Sequence, residues 1–153
     1  MTTLTLDILI PAPPAAVYDY VTRPARWHEW HPASLGAEAH AMESLAVGVS
    51  FEEDIRSSGF KRHLRWQVEE SLAGQRWAAS AVMDDGSRVQ LRYEFSGETG
   101  GTRFTRTLDY QVKPPVLRWL NDLIFWRRVR SESLRALENL RLHFEPALKT
   151  PTI

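Results

Sequence analysis

Three charged side chains occupy positions in the sequence where the surrounding pattern is apolar. Glu53 and Arg106 each share the alternating phase of apolar neighbours in a predicted strand, and Arg130 projects at the centre of an apolar stripe in a predicted helix. An ionised group in such a place is costly unless it is paired. We therefore consider a polar patch inside the protein, where an arginine could hold a ligand carboxylate, enolate or phenolate while Glu53 or Tyr110 moves protons.

The same three residues have a simpler interpretation. A bulge could reset the strand phase so that the side chains point to water, or Glu53 could neutralise an arginine at the rim of a site. From the sequence alone we prefer this interpretation, and the polar patch stands as the second hypothesis.

Other chemical motifs are weak. His28 and His31 lie three residues apart, which could present two imidazoles to a metal, but no third ligand is suggested nearby and we predict no metal site. Gly-rich phosphate loops, Ser/His/Asp arrays and nucleophile elbows are not recognisable. The sequence thus assigns no catalytic residue and no cofactor.

Aromatic residues are the compositional exception, because the chain has six tryptophans. Each brings a large rigid surface, which suits either a core or the wall of a pocket. Trp27 is predicted to anchor a short helix, whereas Trp30 suits an anchor or a pocket equally. The predicted ligand-binding residues are Trp30, Phe51, Glu53, Trp66, Trp77, Tyr93, Arg106, Tyr110, Trp119, Leu123, Trp126 and Arg130.

Length and charge restrict the possible classes of protein. The 153 residues predict one domain over 1–145 and a flexible tail over 146–153. The chain has no cysteine, which excludes disulfides and thiolate metal sites and predicts a cytoplasmic location. Its 19 basic and 19 acidic residues balance, which argues against nucleic acid as a partner. No segment reaches the roughly 20 apolar residues of a transmembrane helix.

The elements that must position these residues follow from the apolar periodicity. A strand is predicted over residues 4–10, then helices over residues 14–22 and about 25–30, separated by Pro24. Six further strands with short antiparallel connections are predicted around residues 35–41, 47–55, 64–68, 77–83, 89–95 and 104–112.

A single long helix is predicted over residues 116–144, after Pro114 and Pro115. At 1.5 Å per residue it would be roughly 42 Å long, enough to cross a domain. Its predicted apolar stripe contains Val116, Trp119, Leu120, Leu123, Trp126, Leu134, Leu137 and Phe144. This stripe must be buried, so we expect the helix to lie across the concave face of the sheet.

The order of these elements resembles the helix-grip fold of the START-like (SRPBCC) superfamily, in particular its polyketide cyclase/dehydrase and lipid-transport branch. The similarity lies in the segment from Ile10 to Pro13, the helix from Ala16 to Val21, and a Trp-x-x-Trp-x-Pro element that ends at Pro32. The resemblance implies an α+β fold: a curved seven-stranded antiparallel sheet around a long C-terminal helix, with two short helices after the first strand.

The resemblance is specific for the fold and leaves the function open, because members include lipid carriers, receptors, cyclases and chaperone cofactors. We favour binding of a hydrophobic or aromatic small molecule in a cavity between the sheet and the C-terminal helix. One alternative is an enzyme of the polyketide cyclase or aromatase kind that uses a polar cluster in the same cavity. The second is a protein-interaction module without ligand, and the chain could be a monomer or a dimer.

Overall fold

The computed structural model describes residues 2–57, 59–111 and 125–145. It confirms the predicted α+β class: a curled sheet of seven antiparallel strands, two short helical segments after the first strand, and a C-terminal helix. The elements are β1 (Thr2–Ile10), α1 (Pro14–Val21), a first 3-10 helix (Pro24–Glu29), β2 (Ser34–Ala37), a second 3-10 helix (Ala39–Met42), β3 (Ser50–Ser57), β4 (Phe60–Leu72), β5 (Arg76–Met83), β6 (Arg88–Glu98), β7 (Gly101–Gln111) and α2 (Trp126–Phe144).

The sheet has the strand order β1-β7-β6-β5-β4-β3-β2. Strands β2 to β7 follow one another as a meander, and β1 pairs with the last of them. Alternation of buried and exposed residues is strict along β6, where Val89, Leu91, Tyr93 and Phe95 are buried. We call the face that carries these four side chains the inner face of the sheet.

The segment between β1 and β2 closes one end of the inner face. Pro14 starts α1, where the missing N–H costs nothing, and Val17, Tyr18, Tyr20 and Val21 are its buried residues. The following helix is of the 3-10 type, and Trp27 anchors it as predicted, because its indole Nε1 donates a 2.7 Å hydrogen bond to the buried carbonyl of Val21.

The predicted strand over residues 35–41 is largely wrong. Strand β2 ends at Ala37, and its pairing with β3 shifts register between Ser34 and Gly36. This irregularity reverses the phase, so that Ser34 is buried and Leu35 is 48% exposed. Residues 39–42 then form the second 3-10 helix, and the next strand starts only at Ser50.

The C-terminal helix is confirmed over Trp126–Phe144, whereas residues 116–124 of the prediction lie outside the described residues, as does the tail 146–153. Helix α2 packs against β1 and, through His143 and Phe144, against Tyr20 of α1. Its fully buried residues are Ser133, Ala136, Leu137 and Leu140.

The predicted apolar stripe of this helix is therefore partly wrong. Leu137 is buried, but Trp126 and Leu134 are each 40% exposed, and Arg130 lies on the exposed side. The buried stripe consists of Leu137 and Leu140 together with two small residues, Ser133 and Ala136. The prediction placed the stripe on a neighbouring face of the helix because that face carries large apolar residues such as Trp126 and Leu134.

Candidate functional site

A cavity of about 410 Å³ lies between the inner face of the sheet and α2. Most of the side chains around it are apolar and come from the middle of the strands and from α2, among them Leu64, Trp66, Val89, Leu91, Leu108 and Val129. Trp27 of the first 3-10 helix and Trp30, which follows that helix, also line the cavity. Strong curvature of the sheet and the short helical segments thus leave a volume that the side chains do not fill.

Six of the residues predicted to bind ligand line this cavity, namely Trp30, Glu53, Trp66, Tyr93, Arg106 and Tyr110. Phe51 and Trp77 are buried in the adjoining core, where both make edge contacts with Trp27. Trp119 and Leu123 lie outside the described residues.

Two residues that were predicted to bind ligand do not line the cavity. Arg130 lies on the exposed side of α2 and Trp126 is 40% exposed, so neither belongs to the described wall of the cavity. The prediction that Arg130 points inward beside Arg106 is wrong. From this helix the cavity receives Val129, Glu132 and Ser133 instead.

Glu53 is the buried acid of the site, with only 4% of its surface exposed. Its carboxylate accepts hydrogen bonds from Ser34 Oγ at 2.7 Å and from Trp66 Nε1 at 3.0 Å. Burial raises the pKa of Glu53 to about 7, although both hydrogen bonds and the charge of Arg106 act in the opposite direction. Both protonation states of Glu53 are therefore populated near neutral pH.

Arg106 is the buried cation of the site and is 8% exposed. Its Nη1 donates to Ser133 Oγ at 3.1 Å, which links β7 to α2, and its Nη2 lies 3.3 Å from His31 Nε2. The hydroxyl of Tyr93 lies near the guanidinium, and burial raises the pKa of Tyr93 well above its usual range. In the part of the chain that the structure describes, no carboxylate forms an ion pair with Arg106.

His31 joins the cluster from the end of the first 3-10 helix. Its Nδ1 accepts a hydrogen bond of 3.1 Å from the backbone N–H of Ala33. Burial, together with the positive charge of Arg106, holds the pKa of His31 well below its usual range, so the ring is neutral at physiological pH. His28 is exposed, and the two histidines do not share a site.

Two contributors to the site were missed from the sequence as cavity residues. Ser34 reaches Glu53 only because of the register shift in β2, which leaves no signal in a four-residue strand. The sequence does not orient the His31 side chain, because the segment from Trp30 to Pro32 has no periodicity that fixes its direction.

Over residues 2–57, 59–111 and 125–145, no group of three or more histidine, cysteine, aspartate or glutamate side chains is arranged to hold a metal ion. Over the same ranges, no helix has the length and apolar character needed to cross a membrane.

Comparison with known proteins gives a family match over almost the whole chain. The family model described as polyketide cyclase / dehydrase and lipid transport matches residues 1–145. A curated relative, the penitrem biosynthesis cluster 1 protein I of Penicillium ochrochloron, is 31% identical over 80 residues. That match covers 51% of this chain and 52% of the relative, so it spans about half the length of each.

Solved structures share the fold at low identity. A Thermus thermophilus protein has a TM-score of 0.75 and 18% identity, with 94% of this chain and 97% of that chain covered. The major latex-like protein 151 of Panax ginseng has a TM-score of 0.69 and 14% identity, with 95% and 98% covered. At these identities the likeness concerns the fold alone.

Proposed function

The chain belongs to the polyketide cyclase / dehydrase and lipid transport family, and from this premise we propose that it binds a hydrophobic or aromatic small molecule in the cavity between the sheet and α2. The observation that carries the proposal is the cavity itself, about 410 Å³ in volume and lined mainly by apolar side chains. Ligand pockets of proteins have volumes of this order, and apolar burial supplies most of the affinity in them. An interaction module would need no such volume.

A fluorescence titration tests this proposal. N-phenyl-1-naphthylamine is uncharged and apolar, and its emission rises when it leaves water. We expect saturable binding of one molecule per chain. Leu108 lines the cavity and is only partly buried, so Leu108→Trp should fill the volume in front of it and abolish the signal.

Gln90→Trp is the matched control, because Gln90 is exposed on the outer face of β6. It introduces the same side chain and should leave binding unchanged. Equal binding by the two variants would place the probe elsewhere and contradict the proposal. Native mass spectrometry of the freshly purified protein then identifies any molecule that it carries.

A second candidate function is an enzyme that cyclises a poly-β-ketone in the same cavity, and the observation that favours it is Glu53. A buried carboxyl with a pKa of about 7 can accept and return a proton near neutral pH. Glu53 would take a proton from a methylene between two carbonyls, and Arg106 would stabilise the enolate charge. The enolate carbon would then attack another carbonyl of the same poly-β-ketone molecule. The resulting alkoxide would recover the proton from Glu53.

The two candidates differ in what Glu53→Gln changes. If the protein is a cyclase, a synthetic poly-β-ketone thioester should be converted to a cyclised product by the wild type, and the variant should lose this turnover while it still binds N-phenyl-1-naphthylamine. If the protein is a carrier, neither the wild type nor Glu53→Gln should convert the thioester. Turnover that survives in Glu53→Gln would exclude the carboxyl as the proton-transfer group.

A further inference from the structure

Two buried N–H groups of cavity-lining residues have no hydrogen-bond partner in the part of the chain that the structure describes. They are Nε of Arg106 and Nε1 of Trp30. Each residue is more than nine-tenths buried, with 8% of Arg106 and 2% of Trp30 exposed. A buried donor left without an acceptor is costly, so two of them beside one cavity indicate a ligand that brings acceptors.

The free donors of Arg106 lie on one edge of its guanidinium. Nη1 donates to Ser133 Oγ and the Tyr93 hydroxyl also lies beside the guanidinium, whereas the opposite edge consists of Nε, which has no partner in the structure, and Nη2, which faces His31 Nε2. These two nitrogens form the planar fork that binds both oxygens of a carboxylate in parallel. The geometry of the guanidinium therefore points to a carboxylate rather than to a single carbonyl oxygen.

His31 adds a further donor at the same place. Because Nδ1 accepts the N–H of Ala33, a neutral ring carries its proton on Nε2. This Nε2 lies 3.3 Å from Nη2 of Arg106, which is also a donor. Two N–H groups that face each other across this distance do not satisfy one another, but an oxygen atom beside them would accept from both.

The charged residues around the cluster leave the guanidinium of Arg106 without a carboxylate partner among the described residues. Glu53 is the buried carboxyl of this wall, and it is engaged by Ser34 and Trp66 rather than by Arg106. Asp54 follows it on β3 and affects it through its charge. The remaining charged residues that line the cavity are less buried, and they are Arg62, Asp85, Arg88 and Glu132.

We propose that the cavity binds an apolar carboxylic acid as its anion, with the carboxylate on the free edge of Arg106 beside His31 and Trp30, and that Glu53 takes up a proton when the ligand binds. This inference rests on the proposed function, since it names the ligand class of the same cavity. With Arg106 and Glu53 both ionised the pair is neutral, and the arriving anion would leave an excess negative charge in a buried site. Protonation of Glu53 removes that excess.

The proton uptake needs little free energy because burial already raises the pKa of Glu53 to about 7. Tyr93 and His31 are neutral near this pH, because burial raises the pKa of the phenol and lowers that of the imidazole. Glu53 is thus the buried group of the cluster whose charge can change when an anion arrives.

Isothermal titration calorimetry with 2-naphthoate and 2-methylnaphthalene at pH 7.5 tests the inference, because the two probes share the same ring system and differ in the head group. We expect 2-naphthoate to bind at least about tenfold more tightly. Measured in phosphate and in Tris, whose ionisation enthalpies differ, its binding should take up roughly half a proton or more per ligand.

Three variants show which residues cause the preference for 2-naphthoate and the proton uptake. Arg106→Met should remove the preference for 2-naphthoate, whereas Arg92→Met, at an exposed position on the outer face of β6, should keep it within about twofold. Glu53→Gln should retain binding of 2-naphthoate and lose the proton uptake. The wild-type and Glu53→Gln measurements decide the question even if Arg106→Met does not fold.

The outcomes separate this inference from the proposed function. Equal affinity for the two probes, or a preference that Arg92→Met removes and Arg106→Met does not, would overturn the carboxylate site and leave apolar binding intact. Unchanged proton uptake in Glu53→Gln would overturn the role of that carboxyl. Failure of both probes to bind would overturn the inference together with the proposed function.

Discussion

The indole nitrogen of Trp66 donates a 3.0 Å hydrogen bond to the carboxylate of Glu53 across neighbouring strands of the inner face. Together with Ser34 it stabilises a charge in a place where burial disfavours it. Because burial is the larger effect, Glu53 remains a weak acid whose pKa lies near 7. The carboxyl of Glu53 is thus partly protonated and partly ionised near neutral pH.

The first prediction concerns the pH dependence of stability. The folded pKa of Glu53 is about 7 and its unfolded pKa about 4.5, so the folded state binds more protons between these values. Its stabilising contribution is complete below pH 4.5 and is lost as the pH rises through 7. Glu53→Gln cannot ionise, and its free energy of unfolding should therefore gain ~2 to 3 kcal/mol relative to the wild type between pH 5 and pH 8.

Urea titrations of the two chains at each pH measure this difference. His31 contributes in the opposite direction, because its lowered pKa stabilises the fold above pH 6.5 and loses that contribution as the pH falls. Both chains contain His31, so its effect cancels in the comparison. A constant difference between the chains from pH 5 to pH 8 would show that Glu53 is not a buried weak acid.

The second prediction concerns the hydrogen bond between Trp66 and Glu53. Trp66→Phe keeps an aromatic ring in the wall and removes the donor that favours the ionised carboxylate, so the pKa of Glu53 should rise further. Carbon-13 NMR of glutamate side-chain carboxyls follows this titration directly. Trp77→Phe is the control, because its indole donates to the carbonyl of Leu45 and should leave the pKa of Glu53 unchanged.

The structure agrees with the apolar strand phase of Glu53 and Arg106, although the interpretation that we preferred from the sequence was the simpler one. Glu53 and Arg106 lie in β3 and β7, where the neighbouring apolar side chains fix the phase, and the structure buries both. The simpler interpretation, in which a bulge turns them to water, is wrong. A strand has only two faces, so a few apolar neighbours are enough to orient a polar residue.

Arg130 shows why the helix was harder to interpret. A helix has many possible faces, and large apolar residues such as Trp126 and Leu134 displaced the predicted stripe from the real one. The real stripe includes Ser133, which contacts Arg106. Such a contact between distant elements depends on how the helix docks, and local periodicity does not contain that information.

The third prediction tests the buried face of α2. Leu137 is 2% exposed and belongs to the core, so Leu137→Ala should lower the free energy of unfolding by about 2 to 5 kcal/mol. Leu134→Ala makes the same change one turn earlier at a side chain that is 40% exposed, and it should cost less than about 1 kcal/mol. Equal effects of the two substitutions in a denaturant titration would contradict the docking of this helix.

The fourth prediction concerns Gly101, at the start of β7, where the sheet closes onto β1. Its φ is +143°, and a Cβ at this position would lie 2.0 Å from the carbonyl oxygen of Ile10. The obstructing atoms are backbone, so they cannot move without disturbing the pairing of Ile10 with Thr102. Gly101→Ala should therefore lower the free energy of unfolding by at least about 2 kcal/mol.

Gly100→Ala separates the clash from backbone strain. Gly100 also has a positive φ, +92°, but the nearest atom to its Cβ is Leu9 Cδ2 at 3.6 Å, an ordinary contact with a flexible side chain. This substitution should cost about 1 to 2 kcal/mol, the strain of a left-handed alanine alone. A denaturant titration in which Gly101→Ala is no more destabilising than Gly100→Ala would show that β1 approaches β7 less closely than the structure places it.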